Sequence, residues 1–284
     1  MSYQIVDCRS FDAAQLCDAL NLAFSDYVTP MHLSVEDFRE FQRQRGFSAE
    51  HSFVALAQDE IAAFWFSGQP HPEYGNRAYT LSVGTSPEHR RNGLSRQLLE
   101  AVIEKQRKEG SKGLQLEVIT TNERAVSAYE AFGFHRERTL GVFRLGGTGV
   151  LAAKGRDWTA AKIGLDALPH DTSAFFDTLP TPQNSLAALR GLSPDIHLVA
   201  VCRADNLLGW GASFADGAVA QIAVHKDHRR KGIGAALLKA IMEAAGKSEL
   251  RFVNVDAATQ SANAFLRQAG AEELLQQYEM QLGF

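Results

Sequence analysis

Residues 90–95 of the chain read Arg-Arg-Asn-Gly-Leu-Ser, and residues 229–234 read Arg-Arg-Lys-Gly-Ile-Gly. Each stretch follows a short apolar run and opens a segment whose apolar residues have helical spacing. Every apolar residue of the second segment lies 139 positions after its counterpart in the first: Leu94, Leu98, Leu99, Val102 and Ile103 are followed by Ile233, Leu237, Leu238, Ile241 and Met242. A glycine loop and a helix face that are repeated in register predict a duplicated fold that binds phosphate groups.

Both loops have the composition of a phosphate-binding site. Gly93 and Gly232 let the backbone turn into a helix without a Cβ clash. The first N–H groups of a helix have no partner within it, and the helix dipole favours an anion there. Basic side chains add charge that can pair with phosphate: Arg90, Arg91, Arg229, Arg230 and Lys231. The alternative is a helix start with solvated basic residues, and the repeat does not decide whether both copies bind.

The composition is typical of a globular chain without a general affinity for polyanions. The 284 residues suit two domains, with 45% hydrophobic and 22% charged residues. A net charge of −4 argues against nucleic acid or anionic membrane as a partner. Cys8, Cys17 and Cys202 are scattered, and the histidines have no metal-binding spacing, so we expect no disulfide framework and no metal site. We also expect a cytoplasmic protein without a signal peptide or a membrane span.

Strand and helix patterns follow the same order in both halves. The first half predicts a helix at 34–45, a hairpin over 51–67, strands at 78–85 and 113–120, a helix at 123–132 and a closing strand pair at 134–145. The second half predicts strands at 196–202, 207–214, 217–224 and 250–256 and a helix at 260–269. The stretch Gly-Gly-Thr-Gly at 146–149 is the best linker candidate, so we expect domains over 1–148 and 149–284, with one mixed sheet in each half.

Residues 83–95 and 222–234 resemble the acetyl-CoA loop of the GNAT N-acetyltransferase superfamily. The family pattern is Arg or Gln, two residues, Gly, one residue, then Gly or Ala. The second copy matches this pattern, whereas Ser95 departs at its last position but is small. Together the two resemblances cover most of the chain. They imply an α/β fold with mixed sheets, built as two tandem GNAT-like domains, and acetyl-CoA or another short acyl-CoA as the cofactor.

The resemblance also implies which residues bind the cofactor. In the first half they are Val83, Gly84, Thr85, Arg90, Arg91, Asn92, Gly93, Leu94, Ser95 and Asn122. The candidates for a second site are Ile222, Val224, Arg229, Arg230, Lys231, Gly232, Ile233, Gly234 and Ala235. Asn122 can also cap the helix that follows it, and the two roles are compatible. A backbone N–H near Val83 or Thr85 can donate to the thioester carbonyl.

Residues 116–134 resemble a second motif of the family, which implies that Glu117 and Tyr129 occupy the positions of its proposed base and acid. A phenol, with a reference pKa of about 10, stays protonated at neutral pH and can donate to a departing thiolate. A carboxylate, directly or through water, can remove the proton that keeps an alkylamine charged below its pKa of about 10.4. Each residue has a structural alternative: Tyr129 can belong to an apolar helix face, and Glu117 can face solvent on a strand.

The second half keeps the loop and loses the catalytic set. When Gly133 is aligned with Gly270, the offset between the halves is 137 positions instead of 139. The second half therefore lacks two residues between the glycine loop and this later motif. Leu266 then corresponds to Tyr129, and Asn254 to Glu117. Because neither replacement can act as an acid or a base, we expect catalysis in the first half.

The sequence thus predicts an acetyl-CoA-dependent N-acetyltransferase in which the amine attacks directly. Its substrate would be a small-molecule or peptide amine, whose identity the sequence does not give. One alternative is a non-catalytic protein that binds acyl-CoA as a sensor. Another is a tandem protein whose catalytic site lies in the second half, because the second loop is the more complete.

Overall fold

The computed structural model describes residues 2–26, 32–146, 158–204 and 206–284. The first repeat contains β1 (Gln4–Asp7), α1 (Ala13–Ala23), α2 (Val35–Arg45), β2 (Phe53–Ala57), β3 (Glu60–His71), β4 (Arg77–Thr85), α3 (Leu94–Lys108), β5 (Gly113–Ile119), α4 (Glu123–Ala131) and β6 (His135–Gly146). The second repeat contains β7 (Ala161–Lys162), α5 (Leu186–Gly191), β8 (Ile196–Arg203), β9 (Asn206–Phe214), β10 (Ala218–Val224), α6 (Ile233–Ala245), β11 (Glu249–Asp256), α7 (Gln260–Gln268) and β12 (Glu272–Gly283). In the described part of the chain, no helix is both long and apolar enough to cross a bilayer.

Local sequence signals set the helix boundaries in the first repeat. The Ser34 side chain accepts from the backbone N–H of Asp37, and the Asp37 side chain accepts from the backbone N–H of Ser34. This capping box satisfies two N–H groups that have no partner inside the helix. Gly46, with a φ of 68°, ends α2 in the left-handed conformation that glycine tolerates. The predicted helix at 34–45 is thereby confirmed.

The chain divides into two compact units. Unit 1 comprises Met1–Glu117, Arg124–Arg136 and Met280–Phe284, and unit 2 comprises Val118–Glu123 and Glu137–Glu279. In unit 1 the strand order is β1-β2-β3-β4-β5, followed by the end of β12, and in unit 2 it is β12-β6-β11-β10-β9-β8-β7. The predicted α/β class with mixed sheets is confirmed. The predicted linker lies, except for its first residue, outside the described residues, so the boundary between 148 and 149 stays a prediction.

Strand β6 is the main departure from the expected fold. We expected a closing strand pair at 134–145 and one sheet per half, and both expectations are wrong. β6 is a single strand that pairs antiparallel with β11 in unit 2, from Leu140 opposite Asp256 to Gly146 opposite Glu249. Phe143 and Leu145 of β6 are buried in the same cluster as the apolar face of α6. The last strand of the first repeat therefore completes the core of the second.

The final strand, β12, was not predicted from the sequence. Its first three residues, 272–274, are exposed, so the alternation that signals a strand is weak there. Its end lies beside the start of β5, where the N–H of Phe284 donates to the backbone oxygen of Lys112 (3.2 Å). A Cβ at Gly113 would lie 2.0 Å from the backbone oxygen of Leu282, so only glycine fits at this contact.

The repeated apolar faces are buried as the sequence predicted. In α3 the buried apolar residues are Leu94, Leu98, Leu99 and Val102, and in α6 the counterparts Ile233, Leu237, Leu238 and Ile241 are buried. The last member of each set, Ile103 or Met242, is only partly buried. α6 has 13 residues against 15 in α3, so the two-residue deletion shortens this helix.

A buried ion cluster joins three neighbouring strands of unit 2. Arg138 of β6 donates from Nε to Glu279 of β12 (2.6 Å) and from Nη1 to Asp256 of β11 (3.2 Å). The Glu279 and Asp256 side chains are only 5% and 8% exposed. One guanidinium therefore pairs with two buried carboxylates.

We expect Arg138→Ala to lower the free energy of unfolding by about 3–5 kcal/mol, because it leaves two buried carboxylates without their cation. Arg144→Ala in the same strand is the matched control. Arg144 pairs with Glu272 at the surface, so its loss should leave the free energy of unfolding nearly unchanged. Urea denaturation of both variants measures the difference, and equal losses would contradict the role given to the buried cluster.

Candidate functional site

In each unit two neighbouring parallel strands separate before they end. In unit 1, β4 pairs with β5 only from Arg77 to Tyr79, although β4 continues to Thr85. In unit 2, β10 pairs with β11 only at Ala218 and Val219, and β10 also continues, to its end at residue 224. Past these pairs the strands leave a wedge between them. A ligand placed there can supply the backbone hydrogen bonds that strand pairing would otherwise make.

The glycine loop follows the diverging strand and leads into a helix. Arg91 and Gly93 have left-handed φ angles of 67° and 73°, and Arg230 and Gly232 repeat them at 62° and 87°. Gly93 and Gly232 are the N-caps of α3 and α6, and glycine brings no capping side chain. The first-turn N–H groups of both helices are thus available to an anion, at the positive end of the helix dipole.

In unit 2 the wedge and the loop line one cavity of about 740 Å³. Eight of the nine second-site candidates, all within the described residues, line it: Ile222, Val224, Arg229, Arg230, Gly232, Ile233, Gly234 and Ala235. The ninth, Lys231, donates from Nζ to the backbone oxygen of Asp227 (2.7 Å). A cavity that joins a helix N-terminus to a gap between strands fits a diphosphate with an extended amide-containing arm, as in coenzyme A.

The first arginine of each loop is bound to an aspartate. Arg90 contacts Asp26, and Arg229 contacts Asp177. The side-chain hydrogen bond from Arg90 lowers the pKa of Asp26. Burial raises the pKa of Asp177, but the hydrogen bonds from Arg229 and Ser261 outweigh it, and the net shift is downward. Both carboxylates are therefore ionised at neutral pH.

Tyr129 lies on α4 against two aromatic rings. Its ring meets Trp65 edge to face, with 6.2 Å between the centroids, and Phe134 at 5.5 Å. Trp65 pairs with Val83, which lies past the last pair between β4 and β5. These contacts hold the Tyr129 ring beside the wedge of unit 1.

Glu117 lies on β5, two residues beyond the last pair with β4. The hydroxyl of Tyr79 donates a hydrogen bond to its Oε2. Tyr79 is buried, and Glu117 is partly buried, so Glu117 does not simply face solvent. The sequence did not single out Tyr79, because the register of a parallel strand pair cannot be obtained from residue spacing.

Glu117 and Tyr129 approach the wedge from opposite faces of the sheet. Side chains alternate along β3, so Phe64 and Phe66, which flank Trp65, lie on the opposite face of the sheet from it. Both belong to the same buried cluster as Tyr79, whose hydroxyl donates to Glu117. Tyr129 instead contacts Trp65 on the other face. The structure therefore does not place the two residues on one surface, but on opposite faces of the sheet near the gap between β4 and β5.

The counterparts in unit 2 have structural contacts. Leu266 is buried in the core cluster of α6. The Asn254 amide donates to Thr181 Oγ1 (3.0 Å) and accepts from Gln277 Nε2 (2.7 Å). α7 begins and ends 137 positions after α4, as the alignment of the halves requires.

Two other predicted cofactor residues have local structural roles. A Cβ at Gly84 would lie 2.5 Å from the Phe64 ring, so packing requires glycine there. Asn122 directly precedes α4, and its N–H donates to the backbone oxygen of Ile119 (2.9 Å). Contact of either residue with the cofactor stays a prediction.

The residue that corresponds to Ser95 in unit 2, Gly234, packs close to an aromatic ring. A Cβ at Gly234 in α6 would lie 3.1 Å from the Phe265 ring of α7. The residue of α4 that corresponds to Phe265 is Ala128. A larger loop residue in unit 1 is thus matched by a smaller helix residue.

We expect Gly234→Ser to lower the free energy of unfolding by about 1–3 kcal/mol, because the new side chain crowds the Phe265 ring. In a Phe265→Ala background the same change should cost much less. A double-mutant cycle by urea denaturation measures this coupling. Additive losses would show that the two positions do not compensate each other.

Comparison with known proteins agrees with this geometry. The family model described as the acetyltransferase (GNAT) family matches residues 15–134 and 166–271. N-alpha-acetyltransferase 30 of Schizosaccharomyces pombe is 33% identical over 100 residues, which are 35% of this chain and 67% of that protein. The ribosomal protein bS18-alanine N-acetyltransferase of Escherichia coli is 37% identical over 60 residues, which are 21% of this chain and 40% of that protein. The second alignment therefore spans less than half of the relative.

A solved tandem GNAT protein from the clavulanic acid biosynthesis pathway has the same fold. Its TM-score is 0.69 at 16% identity, and the match covers 99% of this chain and 98% of that one. Membership in this family supports, in general, an acyl-CoA-dependent N-acetyltransferase. Because the family model matches both repeats over more than half of the sequence, the chain belongs to the acetyltransferase (GNAT) family and carries two GNAT domains in tandem.

Proposed function

We propose that this chain is an acetyl-CoA-dependent N-acetyltransferase and that unit 1 carries the reaction. One arrangement supports the proposal most directly. Glu117 and Tyr129 lie on the two faces of the sheet at the gap between β4 and β5, and the N-terminus of α3 follows that gap. An acyl donor in the gap would have a carboxylate on one side and a phenol on the other.

The donor would be held mainly by backbone groups. The N–H groups of residues 91–95 at the start of α3 would bind the diphosphate, with Arg91 adding charge. Residues 83–85 would lie beside the extended arm, and Asn122 would contact it. Acetyl-CoA supplies the activated acetyl group when bound.

The side chains of unit 1 would move two protons. The amine arrives mostly protonated, since an alkylamine has a pKa of about 10.4, and Glu117 would accept its proton directly or through a water. The Tyr79 hydroxyl fixes the position of the Glu117 carboxylate. Tyr129 would pass its phenol proton to the departing sulfur. Backbone N–H groups near Val83 would stabilise charge on the carbonyl oxygen.

The acceptor would be an amine of a peptide or a small molecule. Two relatives support a peptide amine by their names, N-alpha-acetyltransferase 30 and ribosomal protein bS18-alanine N-acetyltransferase. We also propose a cytoplasmic location. All three cysteines are free thiols, which fits a reducing compartment.

We propose that unit 2 binds an acyl-CoA without transferring its acyl group. Its cavity contains both the loop and the wedge. The position that corresponds to Tyr129 is occupied by Leu266, which has no proton to give, and Asn254 replaces Glu117. This unit would therefore act as a binding domain within the enzyme.

We expect Tyr129→Phe to lower kcat by about a hundredfold or more while the protein stays folded, because the change removes only the proposed acid. Tyr74→Phe is the matched control. It also removes a single phenol hydroxyl, but Tyr74 precedes β4, at the end of that strand opposite the glycine loop. Acetyl transfer to a panel of amines, with circular dichroism for folding, measures both effects.

One pair of results would place the reaction in unit 2. These are full activity in Tyr129→Phe and lost activity after substitution of Gly232 and Gly234 in a chain whose unit 1 stays folded. Binding of acyl-CoA without turnover of any amine would instead support a sensor.

A further inference from the structure

The guanidinium of Arg90 is committed to protein acceptors. Its two terminal nitrogens donate to the two carboxylate oxygens of Asp26, each at 2.6 Å. Nη2 also donates to the backbone oxygen of Ala23 (3.1 Å), and Nε donates to that of Thr85 (3.2 Å). Four contacts use most of the five N–H donors that an arginine has. The side chain thus ties the glycine loop to the end of β4 and to the end of α1.

Arg229 makes the same set of contacts in unit 2. Its Nη1 donates to both oxygens of Asp177, at 3.0 and 2.8 Å. Nη2 donates to the backbone oxygen of Phe175 (2.9 Å), and Nε donates to that of Val224 (3.2 Å). Thr85 and Val224 each lie five residues before their arginine, so the strand contact is equivalent in both units.

The elements that supply the aspartates differ between the units. Asp26 lies just past helix α1, 64 residues before its arginine. Asp177 lies outside any helix or strand, and only 52 residues before its arginine. The arginine contacts are therefore alike although the segments that provide them have diverged in length and structure. A requirement of the loop, rather than of the neighbouring segment, explains this.

We propose that Asp26 is a positioning residue for the acyl-CoA donor in unit 1, and that Asp177 has the same role in unit 2. Each aspartate orients the loop arginine, which fixes the left-handed turn that points the backbone N–H groups at the diphosphate. Each aspartate would act through its arginine; Asp177 also lines the cavity of unit 2. The inference rests on the proposed function, because it concerns the same donor site.

Arg90 has an alternative role, as a cation that contacts the diphosphate. The two roles predict opposite effects of Asp26→Asn on the affinity for coenzyme A. Asp26→Asn weakens the hold on the guanidinium and removes a negative charge near the loop. If Arg90 contacted the diphosphate, this change would leave the affinity for coenzyme A unchanged or raise it. If Arg90 positions the loop, the affinity falls.

The test measures coenzyme A binding to the full chain by isothermal titration calorimetry, and the KM for acetyl-CoA where turnover is found. We expect Asp26→Asn to weaken binding in unit 1 about tenfold, with a rise in KM larger than the fall in kcat. Arg90→Lys should weaken binding by a similar factor, because a lysine keeps the charge but cannot make the forked contacts. Asp26→Asn combined with Arg90→Lys should be no weaker than either alone.

Two further variants complete the comparison. Asp177→Asn should weaken binding in unit 2 only. Asp216→Asn is the control, because it alters another exposed aspartate–arginine pair, with Arg251, just before β10 and so at the end of that strand opposite the second glycine loop, and it should leave both affinities unchanged. Thermal unfolding confirms that each variant is folded.

The outcomes separate this inference from the proposed function. Unchanged or tighter binding in Asp26→Asn overturns the inference for unit 1, even if the enzyme is active. Weaker binding in Asp26→Asn without turnover of any amine supports the inference and overturns the proposed reaction. A wild-type chain that binds no coenzyme A overturns both.

Discussion

The early separation of two parallel strands is the constraint on which the rest of the site depends. β4 leaves β5 after three pairs, and β10 leaves β11 after two. Backbone N–H and C=O groups that open onto such a gap need partners, and a ligand can provide them. The glycine loop continues from the diverging strand, so the helix N-terminus that follows has a fixed place relative to the gap. The donor site that we propose in each unit would consist of these backbone groups.

A site made of backbone groups explains how the two units can share a scaffold and differ in chemistry. The left-handed glycine and the open first turn of the helix do not depend on individual side chains, and both units have them. Proton transfer depends on single side chains, and here the units differ: Tyr129 and Glu117 in one correspond to Leu266 and Asn254 in the other. The second loop is the fuller match to the family pattern, yet its unit has leucine and asparagine at the positions of the acid and base proposed for unit 1.

The loop and the helix that follows the later strand differ together between the units. The first unit has Ser95 and Ala128, whereas the second has Gly234 and Phe265, whose ring would lie 3.1 Å from a Cβ at Gly234. β6 also contributes charge, because its partly buried Arg138 pairs with buried carboxylates on both neighbouring strands of unit 2. The first repeat thus supplies part of the core and the charge balance of the second unit.

The sequence by itself determined the duplication, the helix starts at Gly93 and Gly232, and the buried faces of α3 and α6, because these follow from local spacing and from glycine's conformational freedom. It did not give the pairing of β6 with β11, the contact of Tyr79 with Glu117, or the contacts of Asp26 and Asp177 with the loop arginines. Each of these joins residues far apart in the chain, through strand register or through an irregular segment with no periodic pattern. Only tertiary structure decides such contacts, because many pairings bury similar apolar area and the choice among them depends on the whole core.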